Sequence, residues 1–339
     1  MTINHETDAV IVGAGPVGLF AVFQCGMVKV RCHVVDALEA VGGQLSALYP
    51  EKPIYDIPGH PSILAADLVE RLSEQAAPFG PTFHFGAQVS TLARLDDGRW
   101  LCGLSNGEAI AARAVIICAG GGAFGPNRPP LDGLAQYEGT SVFYLVRKRE
   151  DFRGKRVVIA GGGDSAVDWA ISLAEVAAKV MVVHRRPKFR AAPESEARLK
   201  QLAESGGVEL VVPYQLHGLE GENGKLSAVV VATLEGEVKR LDADVLLPFY
   251  GLSSDLGPIA QWNLGMDRNL IAVDPATGAT DVPGIYAAGD ICSYPGKLKL
   301  ILSGFAEAAR VAHSTHAVVH PGEALHFEHS TTSGVPKAS

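Results

Sequence analysis

Two copies of a glycine-rich turn constrain this 339-residue chain more than any other feature. The first reads Gly13-Ala14-Gly15-Pro16-Val17-Gly18 and the second Gly161-Gly162-Gly163-Asp164-Ser165-Ala166. Each follows a short apolar run, Asp8 to Val12 in one case and Arg156 to Ala160 in the other. Each opens a stretch of helical character, Pro16 to Met27 and Ser165 to Ala178. A second apolar run then follows at the right distance, Val30 to Val35 and Val180 to His184. A strand–turn–helix–strand unit of this kind holds a dinucleotide. The glycines allow the tight turn, the close approach of a pyrophosphate and close helix–strand packing, while the helix N-terminus offers amide donors and a favourable dipole.

The residues beyond the two turns carry opposite charge. Eighteen positions past Gly18 stands Asp36, and eighteen past Ala166 stands His184, followed by Arg185 and Arg186. An acid there hydrogen-bonds ribose hydroxyls, whereas arginines accept a phosphate on the ribose. Gly13, Gly15, Pro16, Gly18 and Asp36 therefore predict an FAD site. Gly161, Gly163, Asp164, Ser165, Ala166, His184, Arg185, Arg186 and Arg190 predict an NADPH/NADP+ site. A hydrogen bond to a charged partner contributes about 1.5–3 kcal/mol, so two arginine contacts favour NADPH over NADH by roughly two to four orders of magnitude.

The rest of the pattern repeats in the same order. Ile63 to Phe79 has apolar residues at helical spacing, and Gln88 to Ala119 breaks into short segments around Asp97-Gly98 and Asn106-Gly107. Those dipeptides favour hairpin turns, so a three-stranded meander is expected with Ala114 to Cys118 as its last strand. In the second half a helix near Pro193 to Glu204 precedes a meander from Val208 to Tyr250, with turns at Asn223-Gly224 and Glu235-Gly236. Ile285 to Ala288 as a strand and Ser303 to Val319 as a helix would complete the first domain. The predicted fold is α/β, with two Rossmann-like dinucleotide-binding domains, each a parallel sheet with a three-stranded β-meander, one domain inserted in the other. Residues 1–120 and 252–339 make the FAD domain and 124–250 the NADPH domain, joined by glycine-rich crossings that permit a swivel.

Composition excludes several classes. With 47% apolar and 19% charged residues the chain is globular. A formal charge of −8 argues against nucleic acid as a partner. The N-terminal residues Thr2 to Thr7 are polar, unlike a signal peptide, and no apolar run reaches the roughly 18 residues of a membrane span. The five cysteines form no C-x-x-C pair and no metal-ligand spacing, so no metal site is expected. Reduced, buried thiols suit a cytoplasmic location.

Three further segments carry chemistry. Ile285-Tyr286-Ala287-Ala288-Gly289-Asp290 is an apolar strand ending in a carboxylate, well placed in a flavin domain to accept ribityl hydroxyls. Gly42 to Gly59 is too polar and proline-rich for a helix, and a loop of that length in a compact domain is usually functional. Arg147, Lys148, Arg149, Arg153, Lys155 and Arg156 fall within ten residues and form a candidate patch for an acidic partner, although a solvated connector reads equally well.

The paired turns, together with GGQLSALYPEKPIYDIPG, HRRPKFR and IYAAGD, resemble the thioredoxin-reductase-type flavoproteins. Where those reductases carry a C-x-x-C dithiol, this chain reads Thr140-Ser141-Val142-Phe143-Tyr144-Leu145, which removes the dithiol chemistry. LSALYPEK, GGGDSAVDWA, GDICSYPGK and a C-terminal HST resemble more closely the ferredoxin–NADP reductases of thioredoxin-reductase type, dimeric FAD enzymes of bacteria. The likeness spans about residues 8 to 332. It implies that Tyr49 stacks on one face of the flavin ring, that His329 from a partner subunit covers the other, and that Ser330 lies nearby. Gly43, Gln44, Val89 and Asp290 complete the expected flavin contacts. After Thr332 the chain reads Ser333-Gly334-Val335, where relatives often carry an aromatic residue.

The expected activity is hydride transfer from NADPH to FAD, followed by one-electron delivery to ferredoxin or flavodoxin, in a homodimer. Hydride transfer needs no acid–base residue, and none is expected. A flavin reductase with a quinone or another small acceptor, and a flavin redox sensor without turnover, are the other readings.

Overall fold

The computed structural model describes residues 2–325 and Gly334. They form two compact units. One is built from the chain up to Ala123 and again from Ser254, and the other from Phe124–Ser253.

In the first unit, β1 (His5–Val12), α1 (Pro16–Met27) and β2 (Cys32–Asp36) form the unit required by the first glycine turn. β1 runs parallel to β2 on one side and to the strand Ala109–Ile117 on the other. Thr82–Phe85 adds in parallel beyond β2, and Ile285–Ala287 pairs in parallel with Ala109–Ile117. β1 ends in the unbroken apolar run Ala9 to Val12 because both of its faces are covered. Ala9 and Ile11 pack with Ala21, Val22 and Cys25 of α1 and with Ala308 and Val311 of the helix Ile301–Val319. Val10 and Val12 point the other way, onto Trp100, Cys102 and Leu104 of the meander. The period-2 alternation of a strand thus splits one run between two cores.

The meander turns at Gly98 and Gly107, whose φ values of +85° and +91° suit glycine. Its last strand begins at Ala109, not Ala114 as expected. Ala109–Ala112 pair with Trp100–Gly103, and the same strand continues as the partner of β1. One long strand lies between β1 and the meander in a single sheet, so its sequence shows no break. The Gly42 segment also differs from expectation: Gln44–Leu48 is a short helix. Gly42 and Gly43, at φ +108° and +56°, make the sharp turn before it, Leu45 anchors it in the core, and Pro50 falls after its end. The helix expected from Ile63 runs over Ala65–Ala76, because Ile63–Leu64 instead pairs as a strand with Pro53–Ile54.

The second unit repeats the plan. Arg156–Ala160 is flanked in parallel by Lys179–Val183 and Val245–Pro248, with Glu209–Val211 beyond Lys179–Val183. Val157 and Ile159 face Ala166, Ala170 and Leu173 of the helix Asp164–Leu173. Val158 and Ala160 face Leu226, Val229 and Val231 of the meander. That meander comprises Gln215–Glu222, Lys225–Ala232 and Val238–Asp242, all antiparallel. The two ends of the expected 208–250 stretch belong to the parallel sheet. Among the described residues no helix is long and apolar enough to cross a membrane.

Candidate functional site

Each unit carries one of the two glycine turns at the start of a helix. In the first, a Cβ on Gly13 would lie 2.5 Å from the Cys118 carbonyl oxygen, and one on Gly18 would lie 1.9 Å from that of Gly13. Neither position has room for a side chain. Above Gly15 nothing lies within 4 Å of a Cβ position, so open space faces the start of α1, with Pro16 at the first helical position. The amides of that first turn have no partner inside the helix. Tight packing beneath and open space above suit a pyrophosphate held against backbone amides.

Asp36 ends β2 beside this turn. Its Oδ2 accepts the Ala14 N–H at 2.6 Å and its Oδ1 the Leu38 N–H at 2.8 Å. Each oxygen keeps a lone pair for a ribose hydroxyl. Burial raises the carboxyl above its ordinary pKa, against those two donors that lower it. Val89 is a core side chain, 1% exposed, two residues past Ala87, whose N–H donates to the Asp36 carbonyl at 3.2 Å.

Of the other residues expected at the flavin, Gly42 and Gly43 pack against the same turn. The Gly42 N–H donates to the Ala14 carbonyl at 2.8 Å, and a Cβ on Gly43 would sit 3.2 Å from the Gly15 Cα. Gln44 opens the short helix and Tyr49 ends it. Burial, with the nearby Asp290 carboxylate adding to it, pushes the Tyr49 hydroxyl above its usual pKa, so the ring and the strand-end acid lie in one environment. Asp290 itself is exposed and Gly289 buried.

One residue here escaped the sequence. Glu307, 4% exposed, accepts the Gly289 N–H at 2.7 Å, the Tyr294 hydroxyl at 2.5 Å and the Lys297 ammonium at 2.5 Å. Its helix comes close because a Cβ on Gly304 would meet Val17 of α1 at 2.4 Å. Glu307 thus holds the loop that presents Asp290. Only its place in an apolar helix hinted at a role.

In the second unit, a Cβ on Gly161 would lie 2.6 Å from the Phe249 carbonyl oxygen, and one on Gly162 would lie 2.2 Å from the His184 ring. Gly163 caps the helix, and the space above it is open. Asp164, Ser165 and Ala166 form the first turn, and Asp164 accepts the Ala192 N–H at 2.9 Å. The Arg190 N–H donates to the Gly162 carbonyl at 2.6 Å, which draws the arginine loop onto the glycine turn. The His184 ring stacks on Phe189, centroids 5.1 Å apart. Its pKa is lowered, chiefly by burial and further by Arg185, Arg186 and Arg190. All three arginines are exposed. Their charges act together on the half-buried His184 ring, and that concentration of guanidinium suits a ribose phosphate.

The basic segment fares differently. Arg149 pairs with Glu175 at 2.7 Å, Arg153 with Glu150 at 2.6 Å and Arg156 with Asp244 at 2.6 Å. Lys155 lies over the Phe152 ring. Arg147 and Lys148 are exposed. At the place of the missing dithiol, the buried Ser141 hydroxyl donates to the Gly224 carbonyl at 3.0 Å and accepts the Leu226 N–H at 3.1 Å, a structural tie to the meander. All five cysteines are free and buried. Burial pushes the Cys102 and Cys292 thiols up to about 12, and raises Cys118 further. His329 and Ser330 lie outside the described residues.

Comparison with known proteins fits this geometry. Residues 7–316 match the family described as pyridine nucleotide-disulphide oxidoreductase. The chain is 94% identical over 334 residues to a ferredoxin–NADP reductase of Paramagnetospirillum magneticum, covering 98% of this chain and 99% of the relative. It is 66% identical over 334 residues to one of Rhodospirillum rubrum, covering 98% and 97%. Among solved structures, thioredoxin reductase of T. acidophilum is similar at 25% identity with a TM-score of 0.78, covering 93% of this chain and 99% of that one.

Proposed function

The chain belongs to the pyridine nucleotide-disulphide oxidoreductase family, and on that premise we propose that it passes electrons between NADP(H) and ferredoxin or flavodoxin through bound FAD. The observation that carries this is the pair of glycine turns with opposite charge beside them: Asp36 at one, Arg185 and Arg186 at the other. The relatives named ferredoxin–NADP reductase supply the acceptor.

In this reading Gly13, Gly15, Pro16 and Gly18 receive the FAD pyrophosphate, and Asp36 accepts from the adenosine ribose. Gly43, Gln44 and the backbone near Val89 line the same site. Asp290, held by Glu307 through Gly289, accepts ribityl hydroxyls. Tyr49 covers one face of the ring system. His329, from the second subunit of a homodimer, covers the other, with Ser330 beside it. The residues from 124 to 250 form the NADPH domain. There Gly161, Gly163 and the first turn from Asp164 to Ala166 take the pyrophosphate, and Arg185, Arg186 and Arg190 take the 2′-phosphate around His184. FAD, when bound, supplies a centre that accepts a hydride and releases electrons one at a time. The chain contributes position and electrostatics, and needs no proton donor for the hydride.

Arg147 and Lys148 are the part of the basic segment left for an acidic partner. The buried thiols suit a cytoplasmic setting.

NADPH-driven reduction of cytochrome c, with and without added ferredoxin, tests the reading. A large ferredoxin-dependent rate, far weaker with NADH, is the expected result. If a dye is reduced but ferredoxin adds nothing, a small acceptor replaces the protein one.

A further inference from the structure

At the edge of the first unit three histidines and a glutamate meet. His5 opens β1, His33 lies on β2, His84 on the strand Thr82–Phe85, and Glu108 closes the turn before the strand Ala109–Ile117. The His5 and His84 ring centroids are 4.9 Å apart, His33 and His84 5.1 Å, and His5 and His33 5.8 Å. His5 Nε2 lies 3.7 Å from Glu108 Oε1, and His84 Nδ1 lies 3.9 Å from Glu108 Oε2. Both separations exceed a hydrogen bond, yet the three groups point into one gap.

We propose that this gap is a site for a borderline divalent transition metal, with Zn2+ as the representative ion, held by His5, His84 and Glu108. Ligand atoms from the three residues lie within 4.8 Å of one another. Tetrahedral coordination with bonds of about 2.0–2.1 Å needs ligand atoms roughly 3.3 Å apart, so rotamer adjustment closes the set. Two imidazoles and one carboxylate are the donors such metals prefer, rather than the all-oxygen sets of Ca2+ or Mg2+. The fourth position is left to water.

The surroundings support the ligands as a metal site requires. His33 Nδ1 and His84 Nε2 are 3.0 Å apart. With the proton on His84 Nε2, donated to His33, the lone pair of His84 lies on Nδ1, the atom facing Glu108. Such outer partners fix tautomer and ring orientation. Asn106 Nδ2 donates to Glu108 Oε2 at 3.0 Å, and the Glu108 N–H returns a bond to Asn106 Oδ1 at 3.1 Å, which steadies the carboxylate. The His84 side chain is 8% exposed, while His5 and Glu108 are 34% and 41% exposed, so the buried ligand has an open path from solvent. The ion would tie the N-terminal end of β1 to an edge strand and to a hairpin turn, elements nearly eighty residues apart between His5 and His84. Such a tie forms only in the folded chain, and binding would add to stability.

The test uses the untagged, FAD-loaded protein stripped with a chelator, then equilibrium dialysis against Zn2+ with metal analysis and a thermal melt. The expected result is one tight zinc per chain in the unmodified protein, with a raised melting temperature. His5→Gln and Glu108→Gln, both at accessible positions, should lose that zinc and the melting shift. His33→Phe should weaken binding by 10–100-fold, whereas His320→Gln, at the separate His316–His320 pair, should change nothing. NADPH-driven dye reduction should be equal in all variants. No tight zinc in the unmodified protein, or the same stoichiometry in His5→Gln and Glu108→Gln, overturns the proposal.

Discussion

The Gly289 amide donates to Glu307 Oε2 at 2.7 Å, so a carboxylate buried in one helix fixes the backbone of the loop that presents Asp290. Lys297 and Tyr294 hold the same carboxylate, and the Lys297 side chain is 7% exposed against 4% for Glu307. Removing one partner of a buried ion pair leaves the other charge uncompensated, at a cost of about 3–5 kcal/mol. Glu307→Ala should therefore lower stability by about that amount and release flavin during purification. Denaturant unfolding and the ratio of flavin to protein absorbance check both. Unchanged flavin content in a folded variant would show that the Asp290 loop holds its shape without Glu307.

Arg185→Ala and Arg186→Ala should each weaken NADPH binding by roughly one to two orders of magnitude, the worth of a hydrogen bond to a charged group. NADH binding should hardly change, since it lacks the phosphate. Titration of the two nucleotides against the oxidised protein reads the difference directly. Equal losses for both would place the arginines somewhere other than on the 2′-phosphate.

Gly18→Ala forces a Cβ to within 1.9 Å of the Gly13 carbonyl oxygen. That atom is backbone and cannot swing aside, so the turn itself must open. Overpacking of this kind costs about 1–3 kcal/mol, and here it falls on the turn proposed to receive the pyrophosphate. The variant should bind FAD poorly, and added FAD should restore less of its melting temperature than in the unmodified protein. Gly15→Ala, with nothing within 4 Å of its Cβ, should fold normally and lose only flavin affinity.

Charge reversal at Arg147 and Lys148 should reduce ferredoxin turnover, more so at low salt, and leave dye reduction intact. Arg156 behaves differently because it is committed to Asp244. The Arg156 hydrogen bond, as the largest cause, lowers the Asp244 carboxyl below its ordinary value of 3.8, against desolvation. A depressed folded pKa gives stability that is present above about pH 4 and lost as the pH falls through the folded value. Both side chains are about 40% exposed, so the pair is worth no more than about 1 kcal/mol. Asp244→Asn should thus be slightly less stable near neutrality, with the gap closing below pH 4. A gap that persists in acid would mean that the loss comes from packing rather than charge.

The features legible in the amino-acid order were those whose chemistry is local. A glycine turn, the helix it opens, the acid or arginine closing the next strand and the Gly-Asp after an apolar run lie within a few dozen residues, so spacing alone exposes them. The hairpin turns at Gly98, Gly107 and Gly224 were visible for the same reason. The short helix Gln44–Leu48 was missed because one turn of helix has too few residues for a period. The strand from Ala109 was cut short because burial on both faces erases alternation. The packed fold alone decided which distant residues met. Glu307 reaches Gly289 only because Gly304 lets its helix close on Val17. The charges of Arg149 and Arg156 are taken up by Glu175 and Asp244, far along the chain. His5, His33, His84 and Glu108 arrive from separate strands and a turn. Each of those contacts depends on how sheets and helices stack, an interaction set by shape over the whole unit and not by neighbours in the chain.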